Sequence, residues 1–369
     1  MKEKTSSRDK VLALLESKKG RFISGEEIAS DLGISRTAVW KAVNNLKKDG
    51  YMIDSVTNRG YCLSHGSDIL SEAVLRGYLR DCPPLVLDVF DTVDSTNTVC
   101  LKRASDGERR TYAAVAGGQT RGRGRRGRSF FSPDGTGLYM SILLRPSGLS
   151  AGQAVKFTTI AAVAVSEAIE AVAGKTASIK WVNDIYVEGR KACGILTEAS
   201  FNPEDGTLDY AVVGIGINVY EPQGGFPEDI RDRAGALAGP VNGNNVPAGK
   251  ESDDSFLSGK NPEDSAGVNK VLKNGGRNRL AAEILSRFFS YLDEGYAPAA
   301  SSETDPVPRY AAEYRRRCFV IGMDVDVIKA GSEPHEAHVL GVDDECRLEV
   351  RYADGTTETL SSGEISIRL

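Results

Sequence analysis

The chain has 369 residues, 40% hydrophobic and 26% charged, with a formal net charge of −5, an ordinary composition for a folded protein of two or three domains. Its best apolar run, TTIAAVAVSEAIEAVAG, is broken by Ser166, Glu167 and Glu170 and has helical spacing, which excludes a membrane span, and charges inside the first apolar run exclude a signal peptide, so a cytoplasmic location is expected. Six scattered cysteines with no C-x-x-C pair exclude a zinc or disulfide framework, and three histidines (His65, His335, His338) apart from any nucleophile motif leave the chemistry to Lys and Arg.

Residues 1–65 hold twelve Lys/Arg against eight Asp/Glu, leaving −9 for the remainder, so a basic module precedes an acidic body. RDKVLALLESKKGRF spaces its apolar residues for a helix ending at Gly20. Ser24 and Glu27 form a capping box that opens a short helix, which stops at Gly33. Ser35 caps the next helix, with Val39, Val43 and Leu46 on one face. Short strands flank Asn58-Arg59-Gly60 as a hairpin. The sum is a winged helix-turn-helix, and Ser35, Arg36, Thr37, Trp40, Lys41 and Asn44 are the candidates to meet DNA in the major groove. Arg59 at the wing tip is the candidate phosphate contact. Trp40 could instead pack on the wing.

A short helical stretch, 68–80, and Pro83-Pro84 lead into the body. LVLDVFDTVDSTN reads as a strand and turn, while TYAAVAGGQT and GTGLYMSILLRP read as buried strands. A helix is expected over 153–173. ASIKWVNDIYVEGRKACGILTEAS reads as strand, turn and strand, and LDYAVVGIGINVY as one more. The pattern is α+β with a mixed or antiparallel sheet.

Between two of these strands lies GGQTRGRGRRGRSFFSP, with five arginines and three glycines in residues 121–128. A disordered Arg-Gly tail would not be framed by core strands. The glycines let the backbone curl around a ligand, and the arginines are permanent forks for carboxylate or phosphate.

That stretch, with DSTN, KWVNDIYVEGRKACGILTE and GIGINV in this order, strongly resembles biotin protein ligases. The winged helix narrows the resemblance to the bifunctional kind that also represses biotin-synthesis genes. Such enzymes use ATP and Mg²⁺ to make biotinyl-5′-AMP. They pass the biotin to a lysine of a biotin carboxyl carrier protein, an acetyl-CoA carboxylase subunit or pyruvate carboxylase. The resemblance implies biotin contacts at Ser95, Thr96, Asn97, Gln119, Gly122, Arg123, Lys191 and Gly194. For ATP and the adenylate it implies Arg125, Arg126, Arg128, Phe130, Lys180, Asn183 and Asn218, with Phe130 where an aromatic stacks on adenine. Arg125, Lys180 and Lys191 are the catalytic group. Asp184 is a candidate for Mg²⁺ or for orienting the acceptor amine, and Trp181 for packing. Val182 departs from the family's usual proline. Operator DNA and a homodimer formed by edge-to-edge sheet pairing are implied partners.

Residues 221–277 are poor in apolar groups and read as a flexible insertion. Two helices follow, the second ending in RRRC, which reads as a solvated helix end. Alternating strands with turns at Asp343-Asp344 and Asp354-Gly355 then form a small barrel, SH3-like in the family. The expected division is 1–65, a winged helix; 66–317, a ligase domain; and 318–369, an SH3-like domain. A lipoate ligase, a ligand-sensing transcription factor without turnover, and a ligase whose winged helix no longer reads DNA are the alternatives.

Overall fold

The computed structural model describes residues 6–146, 148–149, 153–202, 204, 206–240, 272, 275–296, 307–329, 333–361 and 363–367. Three helices open the chain: α1 (Ser7–Ser17), α2 (Gly25–Leu32) and α3 (Arg36–Lys48). Ser6, Ser24 and Ser35 each cap the following helix by accepting a backbone N–H. The capping box at α2 is half made. Ser24 Oγ accepts from Glu27 N at 3.0 Å, but the Glu27 carboxylate turns to Lys18 Nζ at 2.7 Å. Val11, Leu12, Leu15, Ile28, Val39, Val43 and Leu46 form the core between these helices. Strands β1 (Ile53–Val56) and β2 (Gly60–Leu63) make the wing, with Ile53 opposite Leu63. A Cβ at Gly60 would lie 2.0 Å from Ile23 O, which pins the wing to the chain ahead of α2.

After α4 (Glu72–Tyr78) come β3 (Val86–Val93), α5 (Thr96–Ser105), β4 (Tyr112–Gln119), β5 (Gly137–Leu144), α6 (Ala154–Ala173), β6 (Ala177–Lys180), β7 (Asp184–Val187), β8 (Arg190–Phe201) and β9 (Leu208–Asn218). The seven strands form one sheet in the order β3-β4-β5-β9-β8-β7-β6, parallel between β3 and β4 and antiparallel elsewhere. The stretch expected as strand, turn and strand is three strands. A second turn sits at Glu188-Gly189, where φ is 52° and 75°, the two-residue hairpin geometry. The Trp181–Val182 peptide is cis.

Helices α6, α7 (Gly276–Tyr296) and α8 (Arg309–Arg317) share the large apolar cluster with one face of this sheet. On the other face, Cys100 and Ala104 of α5 pack with Tyr112, Ala114, Leu143 and Val212. The expectation of a flexible insertion from 221 is corrected for its first twenty residues. Lys191 N donates to Arg233 O at 2.8 Å, Gly235 N donates to Lys191 O at 2.9 Å, and Ala238 N donates to Val219 O at 2.8 Å. Phe226 and Leu237 are buried. These backbone bonds, with a few buried apolar side chains, order the segment. Residues 241–271 of the expected insertion lie outside the described residues, and Arg277 already belongs to α7.

The chain ends in β10 (Asp324–Ile328), β11 (His335–Val342), β12 (Leu348–Tyr352), β13 (Thr357–Leu360) and β14 (Glu364–Ile367), an antiparallel sheet in the order β13-β12-β11-β10-β14. Its apolar face merges with the main cluster, and Trp181 Nε1 donates to Cys346 O at 3.0 Å. The RRRC segment is not simply solvated. Arg317 is buried and bidentate on Glu170 at 2.6 and 2.8 Å, and Arg315 Nε donates to Val342 O. Among the described residues, no helix is long and apolar enough to cross a membrane.

Candidate active site

The Arg-Gly stretch leaves β4 and folds on itself. Phe130 N donates to Gly122 O at 2.9 Å and Gly124 N to Arg128 O at 2.8 Å. A side chain at Gly122 would strike Phe130 O at 2.3 Å, so this crossing requires glycine. Arg126 and Gly127 are left-handed, with φ 56° and 73°, and turn the loop's tip.

The loop roofs a pocket whose two ends differ in chemistry. The neutral end is built by the β3–α5 junction and β4. Ser95 is buried and makes no cap bond with its hydroxyl, which keeps that group available to a ligand. Thr96 N donates to Gln119 Oε1 at 2.9 Å, and Gln119 Nε2 donates to Ser132 Oγ at 3.1 Å. Asn97 lines the pocket, yet its amide turns inward, giving both N–H groups to Leu196 O and Glu198 Oε2. The floor is made of Gly194, Gly214 and Gly216. Phe130, expected beside adenine, lies with its ring over Gly194 and Gly216 and edge-on to Tyr139.

The charged end gathers Arg125, Arg128, Lys180 and Lys191, with Asp184 and Glu364 as the facing carboxylates. Arg125 Nη1 donates to Asn183 Oδ1 and its Nη2 to Gly363 O, both at 2.9 Å. Arg128 is bidentate on Glu364. Burial pushes both the Lys180 ammonium and the Arg125 guanidinium down, with Asp184 opposing the shift in each. Buried cations held at a cost favour an incoming anion, and the fixed forks suit phosphate.

Three expected site residues stand apart from this cavity. Gly122 acts from behind the roof through its closeness to Phe130. Arg126 does not line the pocket; its Nη2 donates to Ile328 O at 3.0 Å and its Nη1 lies 3.3 Å from Glu364 Oε2. Asn218, at the end of β9, gives its amide to Gly235 O at 3.0 Å and does not line the pocket.

On the winged helix, Ser35, Arg36, Thr37, Trp40 and Lys41 are exposed and Asn44 is half-buried; Thr37, Lys41 and Asn44 share the α3 face opposite Val39, Val43 and Leu46, while Ser35 and Arg36 stand at the helix start. Trp40 is 57% exposed, so most of its surface is open to solvent. Arg59 lies over the Phe22 ring, 4.2 Å from its centroid, which orients the wing-tip cation.

Three stretches match family models: residues 7–62 an HTH domain, 89–218 the biotin/lipoate A/B protein ligase family, and 320–368 the biotin protein ligase C terminal domain. The bifunctional ligase/repressor BirA of Bacillus spizizenii is 37% identical over 236 residues, 64% of this chain and 72% of that protein. The chain belongs to the biotin protein ligase family. A further member, the bifunctional ligase/repressor BirA of Escherichia coli, is 35% identical over 211 residues, 57% of this chain and 63% of that protein. The biotin protein ligase from Aquifex aeolicus, solved in complex with biotin and ATP, shares 26% identity at a TM-score of 0.53, covering 77% of this chain and 98% of that one.

Two acidic neighbours in this biotin protein ligase escaped the sequence reading. Glu364 closes the charged end, but its signal is tertiary, since 236 residues separate it from Arg128. Glu198 is legible in principle. It follows Gly194 by four residues on β8, which places both on one face of the strand.

Proposed function

We infer that the chain is an ATP-dependent biotin ligase and a transcriptional repressor. It activates biotin as biotinyl-5′-AMP, transfers it to a lysine of a biotin carboxyl carrier protein, and represses biotin synthesis and uptake genes in response to the adenylate. One observation carries the ligase reading: a continuous pocket with hydrogen-bonding groups and one cation, Arg123 paired with Glu198, at one end and four cations at the other. A neutral ureido ring joined to a carboxylate matches that polarity, and a triphosphate extends it.

In the first step a biotin carboxylate oxygen bonds to the α-phosphorus of ATP as the bond to the leaving pyrophosphate breaks. Two anions must meet, so the site's work is neutralisation and alignment. In this reading Lys191 meets the biotin carboxylate, Lys180 and Arg128 hold phosphate, and Arg125, fixed between Asn183 and Gly363, retains the adenylate. Ser95, Thr96 and Gln119 take the ureido ring. In the second step the acceptor amine attacks the acyl carbon, AMP leaves, and the amine loses a proton.

Mg²⁺ fits the site as a companion of the ATP phosphates. Asp184 sits at the charged end with its Oδ1 2.7 Å from Lys191 Nζ, and Mg²⁺ is commonly held by one or two carboxylates together with substrate phosphates. Bound there, the ion would add charge neutralisation.

The division at residues 65/66 and 317/318, a cytoplasmic location and an adenylate-favoured homodimer on a two-half-site operator complete the proposal. An intermediate that binds the dimer better than the monomer must promote dimerisation. The ligase test is pyrophosphate release with biotin, lipoate or octanoate in separate reactions with ATP and Mg²⁺. Release with biotin supports the reading, release with lipoate alone makes this a lipoate ligase, and no release leaves a sensor without turnover.

A further inference from the structure

A carboxylate that does not line the pocket organises its neutral end. Glu198 projects from β8 on the same face as Gly194, beside the pocket's neutral end. Its Oε2 accepts from Asn97 Nδ2 at 2.8 Å, and its Oε1 accepts from Arg123 Nη2 at 2.8 Å. Asn97 is buried on α5 and continues the chain inward, accepting at Oδ1 from Ser141 Oγ at 2.6 Å. Ser141 Oγ also lies 2.7 Å from Thr96 Oγ1. A string of polar contacts thus runs from Arg123 in the roof through Glu198 and Asn97 to Ser141 in the core of β5.

We propose that Glu198 is a positioning residue for biotin, acting through Asn97 on the floor and through Arg123 on the roof. Its two oxygens have separate tasks. Oε2 fixes which way the Asn97 amide faces, and so the wall that carries Thr96. Oε1 ties down the loop on the biotin side, whereas Arg125, Arg126 and Arg128 tie it to the C-terminal sheet. The same oxygen neutralises Arg123, which confines unbalanced positive charge to the far end where phosphate is expected. An unpaired Arg123 would offer the biotin carboxylate a second cation in the wrong place. The inference rests on the neutral end being the biotin end.

The two tasks differ in exposure. Asn97 is buried, while the side chains of Arg123 and Glu198 are 44% and 24% accessible, so solvent screens the ion pair and the amide bond is the stronger link. Glu198→Gln keeps an acceptor for Asn97 and removes the charge facing Arg123. Glu198→Ala removes both.

The experiment measures biotin affinity, and KM for biotin and for ATP in pyrophosphate release, for the full-length wild type, Glu198→Gln, Glu198→Ala, Arg123→Gln and the double variant Glu198→Gln/Arg123→Gln, with a thermal midpoint for each. We expect the biotin Kd to rise about threefold in Glu198→Gln and about tenfold or more in Glu198→Ala, since charged hydrogen bonds exceed neutral ones and a buried donor left unpaired adds its own cost. The loss falls on the biotin KM rather than the ATP KM. The double variant loses less than the two single losses combined, because the Arg123 link is then removed only once, as coupled residues require. An unchanged biotin Kd in a folded Glu198→Gln, or equal losses in both KM values, overturns the proposal. Additive effects of the two substitutions also overturn it. A wild type that binds no biotin overturns the underlying site reading instead, and the variants are then not compared.

Discussion

Lys191 Nζ stands 2.7 Å from Asp184 Oδ1 across the β7–β8 hairpin, and the Lys191 backbone is held on both sides by residues 233 and 235. The side chain that faces the pocket is therefore fixed at its root and at its tip. The root is held by the segment after β9, which the sequence marks only as polar, and the tip by Asp184 of β7.

Lys191→Ala removes the cation expected to meet the carboxylate while leaving the neutral end intact. Pyrophosphate release should fall by roughly a hundredfold to a thousandfold, the size typical of losing one preorganised transition-state donor. Stopped-assay kinetics at saturating biotin and ATP check this, and near-wild-type turnover would remove Lys191 from the chemistry.

Lys180 makes a pH prediction. Burial lowers its folded-state pKa below the ordinary lysine value, so between those two values the unfolded chain binds more protons. The cost of burying the charged form is fully present below the folded value and is relieved as pH rises through it. A bound polyphosphate reverses the shift and restores the proton, so ATP binding at alkaline pH within that window takes up protons. Calorimetry in two buffers of different ionisation enthalpy should give different heats, and Lys180→Met should make them equal. Equal heats with the wild type contradict the expectation.

Arg277, at the start of α7, holds Asp68 in a pair whose side chains are each 8% accessible, and Tyr220 Oη donates to the same carboxylate at 2.5 Å. Arg277 Nη1 also donates to Gly137 O at 3.0 Å, so the pair joins the segment after the wing to β5 and α7. Arg277→Met leaves that carboxylate buried beside no cation and should cost about 3–5 kcal/mol in urea unfolding. Asp68→Leu with Arg277→Met should recover most of that loss, because both charges are then absent.

Gly214 supports Asn97 from below. A Cβ there would lie 2.0 Å from Asn97 Oδ1, and Asn97 is held by Ser141 and Glu198. Gly214→Ala should weaken biotin by on the order of tenfold, about 1.4 kcal/mol, with far-ultraviolet circular dichroism unchanged. Equilibrium dialysis with labelled biotin measures it.

Arg36, at the start of α3, and Lys41, on its outer face, are both exposed. Each one that meets a DNA phosphate contributes to salt dependence, so Arg36→Ala or Lys41→Ala should lower the slope of log affinity against log salt by about 1 on a mixed-sequence duplex. Fluorescence anisotropy across a salt series reads this slope, and an unchanged slope in both variants moves the DNA contact off this face.

Much of the local architecture was legible because its causes are local. Ser24 and Ser35 cap from within three residues of the N–H groups they accept, and α6 shows its apolar face at helical spacing. The missed turn at Glu188-Gly189 shows the limit of the same approach, since a glutamate with positive φ carries no strong turn signal. The segment 221–240 was misjudged for a different reason: backbone pairing with β8 and β9 orders it, and backbone groups are the same in every sequence.

By itself the sequence determined the succession of elements, a glycine-jointed arginine loop between two core strands, and a family resemblance carried by contiguous motifs. These depend on spacing within a few residues, where propensity, capping and period act. Only the tertiary structure decided which charges face one another. It joined Arg125 to Asn183 and Gly363, set Phe130 on the glycine floor, withdrew Asn218 to the Gly235 carbonyl, and placed Glu198 between roof and floor. Those contacts join residues far apart in sequence, and for Glu198 on β8 and Asn218 on β9 they depend on sheet register, since a one-residue change would turn each of these two side chains to the opposite face.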